Sequence, residues 1–382
     1  MATDEAVRGA LYGVIDPELG DNIVDLGMVR AVAIAEDGAV EVQVALTTAG
    51  CPLRAQLTKD IQARVGSVPG VGTVKVTMGE MTGEERAALM ARARWKAREN
   101  PPVTEIPPTT RVVAIASGKG GVGKSSVTAN LAVTLAARGF TVGVLDADIG
   151  GFSIPRMLGV SARMEAKDKK IVPIDKPVGE GLLKIVSMGS IEGAEEDQAI
   201  MLRGLMLNRA VQHFLEDVAW GEMDYLFIDM PPGTADIQMG LARMLPRTEM
   251  LIVTTPAQAA QKVAARAADM ARKGYLRVAG VIENMSAFVA DDGKTYPLFG
   301  EGGGRRLAAQ IGVPLLGSIP IDPAVAAGGD AGQPAALVDG PVADAYRALA
   351  DKVVTEAIPP IEMTTCTARL LDTVEATLGP KP

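Results

Sequence analysis

"ASGKGGVGKSSVTANLA", residues 116–132, continues the apolar run "RVVAIAS" and leads into a segment rich in Ala, Val and Leu. Within it, Gly118-Lys119-Gly120-Gly121-Val122-Gly123-Lys124-Ser125 fits the spacing G-x-x-x-x-G-K-S/T, with Ser126 directly after. Glycines in such a loop let backbone N–H groups turn inward around phosphate, and the positive end of a helix beginning at Lys124 adds to them. Lys124 is placed to reach the β- and γ-phosphates of a nucleotide, and Ser125 to ligate Mg2+. The strand before and the helix after separate this reading from that of a Gly-rich turn that binds nothing. Lys119 has no part in that scheme. It is one lysine more than a phosphate loop needs.

Further along, "YLFIDMPPGTAD" is a buried strand ending in Asp229, which puts a carboxylate where it can hold Mg2+ through water. Pro231, Pro232 and Gly233 then form a loop able to sense the γ-phosphate. "VLDADIGG" adds Asp146 and Asp148 beyond another strand. They either position an attacking water beside the metal or mark a solvated strand end.

Around these motifs, strand and helix patterns alternate from Arg111 onward: "RVVAIAS", "TVGVLDAD", "LLKIVSMG", "DYLFIDMPPG", "MLIVTTP", "LRVAGVIENM" and "PLLGSIP", with helical stretches between. Strand runs without polar alternation are those of a mostly parallel sheet covered on both faces, a doubly wound α/β domain. We assign it residues 111–355. Residues 1–80 read as a small α+β domain: "MVRAVAI" and "AVEVQVALT" as strands about a turn, a helix with Leu53, Leu57, Ile61 and Val65 on one stripe, and the strand "GVGTVKVTM". Residues 81–110 hold a charged helix, its Thr82 and Glu85 spaced as a capping box, and a proline-rich linker. Residues 356–382 form a tail with at most one short helix.

Composition narrows the class. The chain has 382 residues, 48% hydrophobic and 22% charged, and its 38 basic against 46 acidic residues give a net charge of −8. Such a balance lacks the basic footprint of a nucleic-acid binder. No apolar run approaches the roughly 18 residues of a membrane span, and the expected location is cytoplasmic. There, Cys51 and Cys366, the chain's two cysteines, are not expected to form a structural disulfide. Cys51, at the start of a helix whose dipole favours the thiolate, is either a metal–sulfur ligand or a small buried residue. Cys366 has no supporting motif. His213, the one histidine, reads as a helix-surface residue.

"SGKGGVGKSS", "LDADIG" and "IDMPPGT" together resemble the deviant phosphate-loop ATPases that include MinD, ParA and the nitrogenase iron protein. The resemblance implies that Lys119 crosses into a partner's active site when two subunits close on two ATP molecules, as an arginine finger does. "GVIENMSAF", "LFGEGGGRRLA" and "LLGSIPIDP" are similar to the Mrp/ApbC branch of iron–sulfur cluster carriers. "DPELGDNIVDLGMV" with "TTAGCPLRAQL" is similar to the metal–sulfur assembly domain often fused ahead of them. This likeness implies an ATP- and Mg2+-dependent homodimer that carries iron–sulfur clusters to apoproteins, with Asp146 and Asp229 supporting the metal and Asp148 orienting water. It also implies that Asn284 and the segment about Pro320 lie near the adenine, although Asn284 could equally cap a strand end.

One departure stands out. Where many members carry C-P-x-C after "ENMSAF", this chain reads "VADDGKTYPLFGEGGG", with Asp291 and Asp292 in place of thiols. Carboxylates are poor ligands for iron–sulfur clusters, which take thiolates. The competing reading is therefore a cluster-free switch of the MinD/ParA kind that docks macromolecules. A relative that binds ATP without turning it over ranks last, because every expected catalytic residue is present.

Overall fold

At the N-terminal end Thr3 caps helix α1 (Asp4–Leu11), its hydroxyl accepting the Ala6 N–H at 3.2 Å. Strand β1 (Val29–Ile34) pairs antiparallel with β2 (Val40–Leu46), which pairs parallel with β3 (Val74–Glu80). Helix α2 (Arg54–Gly66) precedes β3 and turns Leu57, Ile61 and Val65 inward, into one core with the alternate residues Val40, Val42 and Val44 of β2. Just beyond β3, the Thr82 N–H donates to Glu85 Oε2 at 2.7 Å and the Glu85 N–H to Thr82 Oγ1 at 3.1 Å, the reciprocal bonds expected of a capping box. Arg30 also holds the Glu85 carboxylate, and the Arg30 guanidinium with the Thr82 N–H lowers its pKa to about 2.

The structure is a computed structural model that describes residues 2–16, 21–46, 54–85, 89, 104–148, 151–190, 204–233, 241, 244–274, 276–290 and 292–361. These fall into two compact units, one comprising the described residues of Met1–Pro102 with Pro107–Thr109 and Ile361, the other Thr110–Pro360 together with residues 104–106. Among the described residues, no helix is long and apolar enough to cross a membrane.

The second unit is built on an eight-stranded sheet. Its strands are β4 (Arg111–Ser117), β5 (Thr141–Asp146), β6 (Ile174–Val178), β7 (Gly181–Ser187), β8 (Tyr225–Asp229), β9 (Glu249–Thr254), β10 (Arg277–Glu283) and β11 (Leu315–Ser318). The order across the sheet is β6-β7-β5-β8-β4-β9-β10-β11, all parallel except β6. The helices are α3 (Lys124–Ala136), α4 (Ile154–Met157), α5 (Gly204–Glu216), α6 (Gln258–Lys273), α7 (Gly303–Ile311), α8 (Pro323–Ala331) and α9 (Pro341–Lys352).

Both sheet faces are covered. Val113 and Ile115 of β4 pack with Leu131 of α3 and Leu349 of α9 on one side. Val112 and Ala114 pack with Leu215 of α5, Ala268 of α6 and Leu307 of α7 on the other. That is why the strand runs show no polar alternation. The antiparallel strand β6 was not legible in advance. Its sequence, "IDKPV", carries a proline in mid-strand, which a sheet tolerates at its edge. The unit runs on through Pro360: Tyr225 Oη donates to the Ile358 carbonyl at 2.8 Å, and Arg111 Nε to that of Pro359 at 2.7 Å.

Candidate functional site

The strand order assembles the site. Chain order runs β4, α3, β5, yet β8 is inserted between β4 and β5, with Asp229 level with Ile115 on one side and Asp146 on the other. The phosphate loop after β4, the carboxylate ending β8 and the carboxylate ending β5 are thereby side by side at the carboxyl edge of the sheet. Open α/β sheets bind ligands at this edge.

Two glycines of the loop are dictated by space and backbone. A Cβ on Gly118 would lie 2.2 Å from the Ala264 nitrogen of α6, so the loop leaves β4 in direct contact with that helix. Gly123, the residue before α3, has φ +77°, and a Cβ there would meet Asn284 Nδ2 at 2.2 Å. Gly120 and Gly121 are exposed, and Val122 is buried beneath them.

Under the loop lies a closed polar cluster. Lys124, 6% exposed, places Nζ 2.7 Å from Oδ2 of the fully buried Asp229. Ser125 Oγ donates to the same oxygen at 2.6 Å, and Thr128 Oγ1 is 2.8 Å from Oδ1. Thr128 lies one helical turn beyond Lys124, and that spacing could have revealed it in the sequence. Ser126 is half-buried in the first turn of α3.

Asp146 is also fully buried, and its carboxylate is largely engaged: Oδ1 accepts the Asp148 N–H at 3.2 Å, and Oδ2 those of Ser153 and Ile154 at 3.0 and 3.2 Å. Of the two readings, the solvated strand end does not describe Asp146, which ties the start of α4 to the sheet. Burial, with the Asp229 carboxylate nearby, pushes its pKa up. Asp148 is only partly buried, and desolvation raises its pKa too. Asp146, Asp229 and Lys124 bring two buried acids together with one base. Hard oxygen donors with negative charge in excess suit Mg2+, and Ser125 supplies a further oxygen.

Lys119 is exposed, and among the described residues its ammonium has no hydrogen-bond or ion-pair partner. Its carbonyl accepts from Ser117 Oγ at 3.1 Å. Gly233, at φ +70°, ends the Pro231-Pro232-Gly233 turn close to the Gly118 carbonyl.

Asn284 does not cap a strand end. Its Nδ2 donates to the Val122 carbonyl at 2.9 Å, bracing the phosphate loop from outside. The segment about Pro320 runs beside it, with the Ser286 N–H on the Ile319 carbonyl and the Ile321 N–H on that of Ala287. Glu283, just before Asn284, was not singled out in the sequence. It is buried, accepts the Gly304 N–H at the start of α7, and has Ser318 Oγ 3.4 Å away. A glutamate ending an apolar strand, twenty residues ahead of a triple glycine, was the available signal.

Cys51, Cys366 and Asp291 lie outside the described residues. Asp292 is paired with Lys294 at 2.8 Å. His213 sits on the exposed side of α5 with Nδ1 2.7 Å from Asp217 Oδ2, as a helix-surface residue should.

Residues 108–354 match the family described as NUBPL iron-transfer P-loop NTPase, and residues 4–76 the one described as iron-sulfur cluster assembly protein. An iron-sulfur cluster carrier protein of Mycobacterium bovis is 45% identical over 339 residues, covering 87% of each chain. One of Deinococcus radiodurans is 45% identical over 352 residues, covering 91% of this chain and 93% of its own. A solved nucleotide-binding protein from Archaeoglobus fulgidus, in complex with ADP, is 34% identical with a TM-score of 0.53, covering 62% of this chain and 91% of that one.

Proposed function

Because the chain belongs to the NUBPL iron-transfer P-loop NTPase family, a family of iron–sulfur cluster carriers, we propose that it hydrolyses ATP and hands iron–sulfur clusters to apoproteins. The observation that carries the nucleotide half is the buried Lys124–Asp229–Ser125 cluster beneath a glycine loop. In this reading the loop N–H groups from Gly118 to Ser125 hold the phosphates. Lys124 shifts its charge from Asp229 towards the β- and γ-phosphates. Ser125 and Asp229, supported by Asp146, would hold Mg2+, which neutralises phosphate charge when bound.

Asp148, partly solvated beside the fully buried Asp146, orients the attacking water. Asp146 answers for geometry, since three backbone N–H groups fix its carboxylate. Lys119 completes the site of a second copy of the chain, adding positive charge where the transition state is most negative. The free ammonium in its own subunit supports that role. Asn284 and Pro320 line the side of the loop on which the nucleoside would rest.

The cluster is cargo, and Cys51 is our candidate ligand for it. The test is anaerobic reconstitution of the full chain with iron and sulfide, reading iron per chain and visible absorbance. A cluster in the wild type that is lost in Cys51→Ala supports the carrier reading with its ligand in the N-terminal unit. A wild type that binds no cluster would overturn it. The sequence "VADDGKTYPLFG", with no thiol at the place where the resemblance implies a C-P-x-C pair in many members, would then favour a nucleotide switch that docks macromolecules. ATP-dependent co-sedimentation with liposomes or DNA would reveal such a switch.

A further inference from the structure

Helix α3 carries two buried threonines, Thr128 and Thr134, that treat their own helix alike. Thr128 Oγ1 lies 3.0 Å from the Lys124 carbonyl and Thr134 Oγ1 2.7 Å from that of Asn130, in each case the carbonyl one turn back. A hydroxyl inside a helix commonly bonds in this way, at a small cost to the helix. Among the described residues Thr134 has no further hydrogen-bond partner. Thr128 has one: Asp229 Oδ1, 2.8 Å away across the site. A hydroxyl has a single proton to give, and the shorter contact to a charged, fully buried acceptor takes it. The Lys124 carbonyl is not left bare, because the Thr128 N–H is its helical donor.

The three groups around Asp229 are all able to release it, but they face different demands. Lys124 and Ser125 share Oδ2. In the function proposed above both have other work, the ammonium at phosphate and the hydroxyl at Mg2+. Thr128 is fully buried one turn deeper in α3, and neither ligand makes a claim on it. When Oδ2 loses its two donors, Oδ1 therefore keeps its own. The last torsion of an aspartate is a broad, two-fold rotor, so a donor fixed on one oxygen sets the direction of the other. Carboxylates that serve metals are held by such outer hydrogen bonds, and removing one costs about 10–100-fold in metal affinity.

We propose that Thr128 is the positioning residue of Asp229: its hydroxyl pins Oδ1 so that Oδ2 faces the metal once Lys124 and Ser125 have turned to phosphate and Mg2+. The role rests on the Mg2+ site proposed above and supplies what keeps that carboxylate aimed while its other partners are drawn away. Thr134, with the same helix bond and no carboxylate, separates aim from helix stability.

The test is titration of the full chain with a fluorescent, non-hydrolysable ATP analogue over a series of Mg2+ concentrations and in EDTA, with chemical denaturation of each variant free of metal and nucleotide. Thr128→Val removes the donor and keeps the shape. It should raise the Mg2+ concentration for half-maximal effect by about 10–100-fold and leave affinity in EDTA within about twofold. Thr128→Ser, which restores the hydroxyl, should return to within about threefold of the wild type, and Thr134→Val should leave the Mg2+ dependence as it was. An unchanged Mg2+ dependence in Thr128→Val, an equal change in Thr134→Val, or a loss of affinity as large in EDTA as in Mg2+ would overturn the positioning role and leave the Mg2+ site standing. A wild type that binds the analogue equally in Mg2+ and in EDTA would overturn both. Should Thr128→Val fail to fold by the denaturation readout, Thr128→Ala, which asks for no extra space, decides by the same titration.

Discussion

Asp229 and Glu283 occupy equivalent places, each the last residue of a parallel strand, each buried, each at the carboxyl edge of one sheet. What faces them differs. Asp229 meets an ammonium and two hydroxyls supplied by α3, groups that can let go when a phosphate or a metal arrives. Glu283 meets the Ser318 hydroxyl only at 3.4 Å, and its closer partner is a backbone N–H at the start of α7, which cannot leave without opening the helix. A buried carboxylate at a strand end is thus a working group or a rivet according to whether its partner is a side chain or the main chain. Asp146 shows both characters, held by main-chain N–H groups yet close enough to Asp229 to feel its charge.

That contrast can be attacked directly. The largest effect belongs to Lys124→Ala, which strips the cation from two buried acids and from the phosphate site together. Nucleotide binding should be abolished in a fluorescent-nucleotide titration, and chemical denaturation should show a loss of about 3–5 kcal/mol, the scale for orphaning a buried charge. Lys119→Ala comes next. Turnover should fall by about 10³-fold, as when an arginine finger is removed, while nucleotide affinity and stability stay as they were; unchanged turnover in a phosphate-release assay would remove it from the active site. Glu283→Ala sharpens the other side of the comparison. It should lower stability by about 1–3 kcal/mol, the range for a buried donor left unpaired, yet leave turnover within about threefold per folded molecule, since a rivet is not a reagent. The smallest effect is expected of Asn284→Ala. One hydrogen bond to the Val122 carbonyl is worth about 1 kcal/mol, and the loss should appear as a several-fold weaker nucleotide affinity with kcat little changed.

Much of this was readable beforehand where local chemistry and long-range order agree. The phosphate loop announces itself through spacing, β4 through its apolar run, and β5 and β8 through apolar runs that end in aspartate. The small N-terminal sheet was legible because β2 alternates and α2 repeats every four residues. Other features depend on partners far along the chain. Nothing in "IDKPV" says that it pairs antiparallel with the next strand, because a short edge strand needs no buried face. Asn284 reaches back 162 residues to Val122, a distance over which no periodicity carries information. Glu283 was not singled out because the N–H it satisfies belongs to a helix that the chain reaches only after a short hairpin, Phe288 opposite Tyr296. Thr128 was within reach of a reading that followed the face of α3 one turn further.

The insertion of β8 between two strands made earlier sets a timetable. Ser125 and Asp229 are 104 residues apart in the chain. At roughly 5–20 residues per second, a growing chain makes its phosphate loop about five to twenty seconds before the carboxylate that anchors it. In that interval β4 and β5 have a vacant place between them and Lys124 has no counter-ion from β8. The pairing of Lys124 with Asp229 therefore waits until the strand that fills the middle of the sheet has been made.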